Sequence, residues 1–267
     1  LDLLHRPVGG GFTSGQPEDI MAPRERTEKG APQSLKAVLG IRDLVFAGEV
    51  EPGGRLSEIT LSERLGLSRT PVRAALARLE QEGILEAIPS GGYSVRTFTV
   101  ADVHDAIELR GVLEGTAARL AAERGVAPAK IAAFNALVAR LDTIVGVPQE
   151  EMDFTAYVSV NAEFHEMLAR LSGSDVIRRE LDRVLQLPFA GPSAFLDAQT
   201  VMPEFRTSLV AGQAQHKAIA NAIEMREGAR AEAVAREHAR LARLNLDFVM
   251  KDTALMERVP GLRLVSG

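Results

Sequence analysis

Arg64, Arg69, Arg73 and Arg78 fall in one short window with no Asp or Glu between Arg64 and Leu79. Arg69 and Arg73 are four apart, so on a helix they share a face, with Thr70 beside them. Guanidiniums and a hydroxyl at the N-terminal end of a helix suit duplex DNA. Arg can grip guanine O6 and N7 with two hydrogen bonds, and Thr can reach a base or a phosphate. The same residues would also make a solvated basic face on an ordinary helical hairpin, and spacing alone does not choose between the two. A second constellation is His165, His216 and His238, each next to an apolar periodic run. Imidazoles arriving from three helices can converge on one divalent transition metal. Taken singly, each is read more plainly as a satisfied bundle histidine or a surface residue.

The arginines need a scaffold. Residues 60–79, TLSERLGLSRTPVRAALARL, read as two short helices joined by a tight turn. Leu61 and Leu65 mark the buried face of the first, and Gly66 ends it by accepting left-handed geometry. Ser68 is expected to cap the second helix with its hydroxyl. Pro71 falls in the first turn, where a missing N–H breaks no bond. Val72, Leu76 and Leu79 form its buried stripe. After Gly83, the runs 85–88 and 93–97 are short and β-prone, with Pro89-Ser90-Gly91-Gly92 as the turn. A helix pair followed by a hairpin makes a winged helix-turn-helix. Gly91 and Gly92 would let the wing tip approach a phosphate backbone or minor groove closely. Upstream, Ser34 is expected to cap a helix over 35–47, residues 49–54 to turn, and Arg55-Leu56 to form an edge strand beside the wing. Arg55 there reads as a surface arginine with no partner.

The segment LSERLGLSRTPVRAALARLEQEGIL together with the GGYSV wing resembles the GntR family of bacterial transcription regulators, over about 34–97. The resemblance implies contacts to double-stranded DNA by Ser68, Arg69, Thr70 and Arg73, and by the wing at Gly91 and Gly92. Arg64 is placed with them. It also implies a homodimer on an inverted-repeat operator. Some members carry an Arg just before the second helix of the motif. Ile59 stands there in this chain, so that contact is lost and operator preference is expected to differ.

Beyond the wing, Thr99 and Asp102 form a capping box. From there to about residue 250 the pattern is helical, with expected helices over 100–124, 128–145, 149–171, 175–187, 203–226 and 230–250. Glycines and prolines punctuate them, and residues 193–198 are a candidate for one further short helix. No strand pattern follows the wing, and 252–267 reads as a loose tail. The abundance of alanine and the wide apolar stripes fit an antiparallel bundle with close helix approach and a central cavity. The expected class is therefore mainly α: a disordered tail over 1–33, a winged helix-turn-helix over 34–98, an all-helical bundle over 99–252 and a tail over 253–267. Met21 is a plausible natural start within the first of these.

Three stretches are similar to the FCD ligand-binding domain, the helical effector domain of one large GntR subfamily. They are ELRGVLEGTAARLAA from Glu108, NAEFHEMLARLSG from Asn161, and HKAIANAIEMREGARAEAVAREH from His216 to His238. The similarity implies a divalent metal, zinc or nickel, held by Asn161, His165, His216 and His238. It further implies a small organic acid whose carboxylate completes the coordination. The family usually has Asp where Asn161 stands, so the site loses a negative charge. Arg110, mid-helix in an apolar setting, is a candidate partner for the effector carboxylate. Its alternative is a structural pair with Glu114, four residues on.

Other classes fare less well. Three histidines with an open position would also suit a catalytic zinc. HEMLA at His165 opens like the zincin motif HExxH, but its fifth residue is Ala169, and no other carboxylate is placed as a general base. A metal-binding module without regulatory output is the third reading. The net charge of −5 over 267 residues does not exclude nucleic acid, because what matters is where the charge sits. Aromatics are only 4%, which disfavours stacking on single strands. There are no cysteines, which removes disulfides and thiolate ligands and suits a cytoplasmic location. No apolar run approaches the roughly 18 residues of a membrane span. The expectation is a ligand-responsive DNA-binding regulator, a repressor released by a small acid.

Overall fold

The computed structural model describes residues 33–187, 189–193, 203–256, 259 and 261–266. The expected disordered tail lies outside these residues apart from Gln33, and so does the short helix beyond Ser193.

The winged region opens with α1 (Gln33–Phe46), which begins at Gln33, so Ser34 lies inside its first turn and does not cap it. Next come β1 (Arg55–Leu56), α2 (Glu58–Leu65) and α3 (Arg69–Gln81). Helix α2 starts two residues earlier than its apolar pattern implied, because Ser57 takes the cap and accepts from the Thr60 amide. Gly66 closes it at φ 63°, the left-handed stop expected of glycine. Strands β2 (Leu85–Ala87) and β3 (Tyr93–Val95) form the wing, and β1 joins on the far side, giving the order β1-β3-β2, all antiparallel. Strand β4 (Phe98–Thr99) leads into the bundle.

Helix α4 (Val100–Arg124) starts on the expected capping box, with Thr99 and Asp102 exchanging bonds. Helix α5 (Pro128–Val145) starts with proline at its first position, where no N–H is required. The expected helix over 149–171 is interrupted. A 3-10 turn (Gln149–Glu151) precedes α6 (Phe154–Leu171), because Asp153 takes the cap and accepts from the Ala156 amide at 2.8 Å. Helices α7 (Asp175–Val184), α8 (Pro203–Glu224) and α9 (Gly228–Val249) follow.

Helices α4 and α9 pack along each other through small residues. A Cβ at Gly111 would lie 2.9 Å from Ala239 Cβ, and one at Gly115 would lie 2.7 Å from Arg236 Cγ and 3.0 Å from the Glu232 carbonyl. Any side chain at these two positions would push the helices apart. Phe134 of α5 stacks on Phe164 of α6 at 4.7 Å, at the centre of the bundle core.

The C-terminal segment is not a loose tail. Helix α10 (Thr253–Met256) and a 3-10 turn (Leu262–Leu264) lead to β5 (Val265–Ser266). That strand pairs in parallel with β4, Phe98 opposite Val265 and Thr99 opposite Ser266. Leu255, Val259, Leu262, Leu264 and Val265 are buried. They join one apolar cluster with Val38, Ile41, Leu76 and Leu79 of the winged region and with Leu246 and Val249 of α9. The tail orders because its leucines and valines cover apolar surface where winged region and bundle meet. Leu264→Ala should therefore lower stability by about 2–4 kcal/mol in urea unfolding, whereas an unattached tail would leave the midpoint unchanged.

Candidate functional site

The first candidate surface lies on α3. Ser68, Arg69, Thr70, Arg73, Gly91 and Gly92 are all exposed, and Val72, Ala75, Leu76 and Leu79 bury the opposite stripe. Ser68 occupies the cap position, but its side chain makes no capping bond, so its hydroxyl is not spent on the helix. Arg64 forms an ion pair with Glu49. Gly91 and Gly92 have φ of 93° and 94°, which side-chain-bearing residues adopt rarely. Arg55 is not the unpartnered arginine the sequence implied: its Nη2 donates to the Gly91 carbonyl at 2.6 Å and braces the wing tip.

Sequence reasoning missed Glu58. It takes two bonds from Arg73, Nε to Oε1 and Nη2 to Oε2, both at 2.9 Å, and one from Arg69 Nη2 at 3.2 Å. The Arg73 hydrogen bonds hold its carboxyl down at about 2, against the upward push of partial burial and with help from Arg69. No spacing rule links residues 58 and 73, since they meet across two helices.

The second site lies inside the bundle. His165 on α6, His216 on α8 and His238 on α9 bring one ring nitrogen each to within 4.8 Å of one another. The backs of the rings are all engaged. His165 Nδ1 meets Glu114 Oε1 at 2.9 Å, His216 Nδ1 meets Gln213 Oε1 at 3.2 Å, and His238 Nδ1 meets Gln215 Oε1 at 3.1 Å. The Gln213 amide is oriented by a bond from its Nε2 to the Val138 carbonyl. An acceptor oxygen behind each ring suits an Nδ1–H donor, the tautomer that turns the Nε2 lone pair inward. His216 Nε2 and His238 Nε2 face each other at 3.0 Å. His165 Nε2 and Asn161 Oδ1 are buried with no hydrogen-bond partner. Burial, reinforced by neighbouring imidazole, pushes His216 and His238 well below the usual histidine range, so both are neutral. Three converging imidazoles, two of them neutral, beside an orphaned amide oxygen are the donor set a divalent transition metal takes. Glu114 behind His165 is the outer carboxylate that commonly orients a ligating histidine.

Arg110 is fully enclosed. It donates to the Ala190 carbonyl at 2.9 Å and the Ala239 carbonyl at 3.2 Å, and its Nε lies 3.7 Å from Glu114 Oε2. Burial alone would raise the Glu114 carboxyl, but the neighbouring His165 and Arg110 outweigh it and hold it at about 2. The structural pair is thus formed, and Arg110 also walls a small cavity with Tyr157, Asn161, Ser208, His238 and Asn245. Burial pushes the Tyr157 phenol up to about 12, so it remains a hydroxyl. The segment 189–193 closes over this space, with Asn161 Nδ2 donating to Ser193 Oγ at 3.1 Å. The lone Arg110–Glu114 spacing was visible in the sequence. Gln213 was available as the i−3 neighbour of His216, whereas Gln215 reaches His238 only across two helices.

The family profile described as FCD domain matches residues 105–241, and the profile described as bacterial regulatory proteins, gntR family, matches 33–95. The chain belongs to the GntR family. Among its relatives is the HTH-type transcriptional regulator YdhC of Bacillus subtilis, 28% identical over 162 residues, 61% of this chain and 70% of that protein. Another is an HTH-type transcriptional regulator of Agrobacterium vitis from the TAR-I ttuE-ttuC' intergenic region. It is 32% identical over 134 residues, 48% of this chain and 74% of that protein. The solved structure of E. coli McbR/YncC superposes with a TM-score of 0.55 at 22% identity, covering 83% of this chain and 99% of that one, which shows a shared fold. This GntR protein is a ligand-responsive, DNA-binding transcription regulator and not an enzyme. Among the described residues, no helix is long and apolar enough to cross a membrane.

Removing Arg110 would strand Glu114 as a buried carboxylate without its cation. Arg110→Ala should cost about 3–5 kcal/mol in urea unfolding at neutral pH. Part of that loss should disappear at acid pH, where Glu114 binds a proton in the variant.

Proposed function

We propose that this GntR protein is a metal-dependent repressor that releases its operator on binding a small organic acid. The observation that carries this reading is the convergence of three imidazole nitrogens inside a bundle whose last long helix, α9, runs from His238 into the apolar cluster shared with the winged region. Zinc or nickel would be held by His165, His216 and His238, with Asn161 as a neutral oxygen donor. When bound, such an ion supplies an electrophilic centre for an effector carboxylate. Glu114, Gln213 and Gln215 aim the rings, and Arg110 gives the cavity a positive wall while Tyr157 offers a hydroxyl. An anion of a few heavy atoms matches that lining. The effector acts by preferring one arrangement of the winged regions over another.

Arg69, Thr70 and Arg73 would read base edges in a major groove, with Arg64, Ser68, Gly91 and Gly92 at the flanking backbone. Two copies of the chain would place two such helices on an inverted repeat, which sedimentation of the chain with operator DNA measures directly. A cytoplasmic location follows from this role.

Two outcomes test the proposal. Arg69→Ala and Arg73→Ala should each cost roughly 1–3 kcal/mol of discrimination between a duplex selected from a randomised pool and a scrambled one. Unchanged discrimination in both would remove α3 as the reading helix. Metal-stripped protein should take up zinc or nickel in equilibrium dialysis. Affinity should be lost in His216→Ala, lowered about 10- to 100-fold in Glu114→Gln, and raised in Asn161→Asp.

A further inference from the structure

Glu58 opens α2, on the helix facing the two arginines, and its side chain is only 25% exposed, while those of Arg69 and Arg73 are 59% and 65% exposed. The carboxylate grips Arg73 side-on, through Nε–H and one Nη2–H. A guanidinium has five N–H groups in a fixed plane. The side-on grip leaves one Nη1–H and the second Nη2–H, which together form the end-on fork, directed away from Glu58. That fork has the two-donor geometry that matches guanine O6 and N7. The third contact, from Arg69 Nη2, draws the neighbouring arginine to the same carboxylate. Two long side chains that would otherwise sample many rotamers are thus fixed relative to each other before any DNA arrives. Ordering them in advance removes an entropic cost from binding.

We infer that Glu58 is a specificity-determining positioning residue: it locks Arg73 side-on so that the end-on fork reads a base, and it sets Arg69 beside it. The inference rests on the reading of Arg69 and Arg73 as base-contacting residues. It differs from two simpler roles for an acid at this place. A carboxylate that merely repels phosphates would weaken binding to every duplex alike. One that merely complements the helix dipole at the start of α2 would change stability alone.

The test uses the full chain, a duplex selected by the wild type from a randomised pool, and a scrambled duplex of equal length, with affinities from fluorescence anisotropy at several salt concentrations. Glu58→Gln keeps shape and removes charge, and Glu58→Asp keeps charge and withdraws the carboxylate by one methylene. Both variants should lower the selected-to-scrambled affinity ratio by roughly 10-fold, with scrambled binding equal to or tighter than wild type. Arg73→Ala should cost less discrimination in the Glu58→Gln background than alone, because the two residues act as a unit. A wild-type ratio in both Glu58 variants, while Arg73→Ala lowers it, would overturn the inference and leave the reading helix standing. Retention of the ratio by Glu58→Asp alone would also overturn it, in favour of simple charge. If Arg73→Ala itself leaves the ratio unchanged, the underlying reading of α3 falls and the inference with it.

Discussion

Helices α4 and α9 lie so close together that Gly111 and Gly115 have no room for a methyl group. Much of the interior arrangement follows from that approach. It brings the Ala239 carbonyl within 3.2 Å of the Arg110 guanidinium, which could not otherwise reach across to the neighbouring backbone. Arg110 in turn faces Glu114 one turn along, and Glu114 reaches His165 on α6. A chain of contacts from a backbone oxygen on one helix to an imidazole on a third is fixed by two missing side chains. Alanines at 231, 235, 239 and 242 keep the facing stripe of α9 equally thin.

The same helix joins the interior to the DNA-facing region. His238 lies mid-way along α9, and Leu246 and Val249 lie near its end within the cluster that also holds Leu76 and Leu79 of α3. The segment after α7 makes a second connection. Arg110 holds it at the Ala190 carbonyl and Asn161 at Ser193, Phe189 joins the shared cluster, and Leu187 sits 3.4 Å from where a Cβ on Gly83 would be, just past α3. Events at the histidine cluster and the pose of α3 therefore share packed matter along two routes.

Much of the fold could be read from local chemistry. Helices α4 and α5 have the expected bounds because a capping box and an initial proline announce their starts and glycines their ends. Where a cap was overlooked, as at Ser57 and Asp153, the bounds shifted. The order of the tail is not legible in the sequence, because its partner strand is two residues long and 168 positions away (Ser266 to Phe98), a distance no periodic pattern encodes. The histidines stood out by motif. Their orientation depends on Glu114, Gln213 and Gln215, and only Gln213 shares a helix face with the ring it holds. Ser68 holds the cap position that its residue type implies, but its side chain makes no capping bond.

The pairing of β4 with β5 bears on how the chain comes to be folded at all. The apolar cluster beneath α3 draws residues from both ends of the described chain, Ala37 to Val265. In the nascent chain, part of the apolar underside of the winged region lacks its cover until β5 has been made, because Leu262, Leu264 and Val265 belong to that cluster. Domains ordinarily fold as units during synthesis; the cluster under the winged region is completed only by β5, which pairs with β4 from far along the chain. A fragment cut after β4 would keep α3 and the wing yet expose apolar side chains that β5 and its neighbours cover in the whole chain.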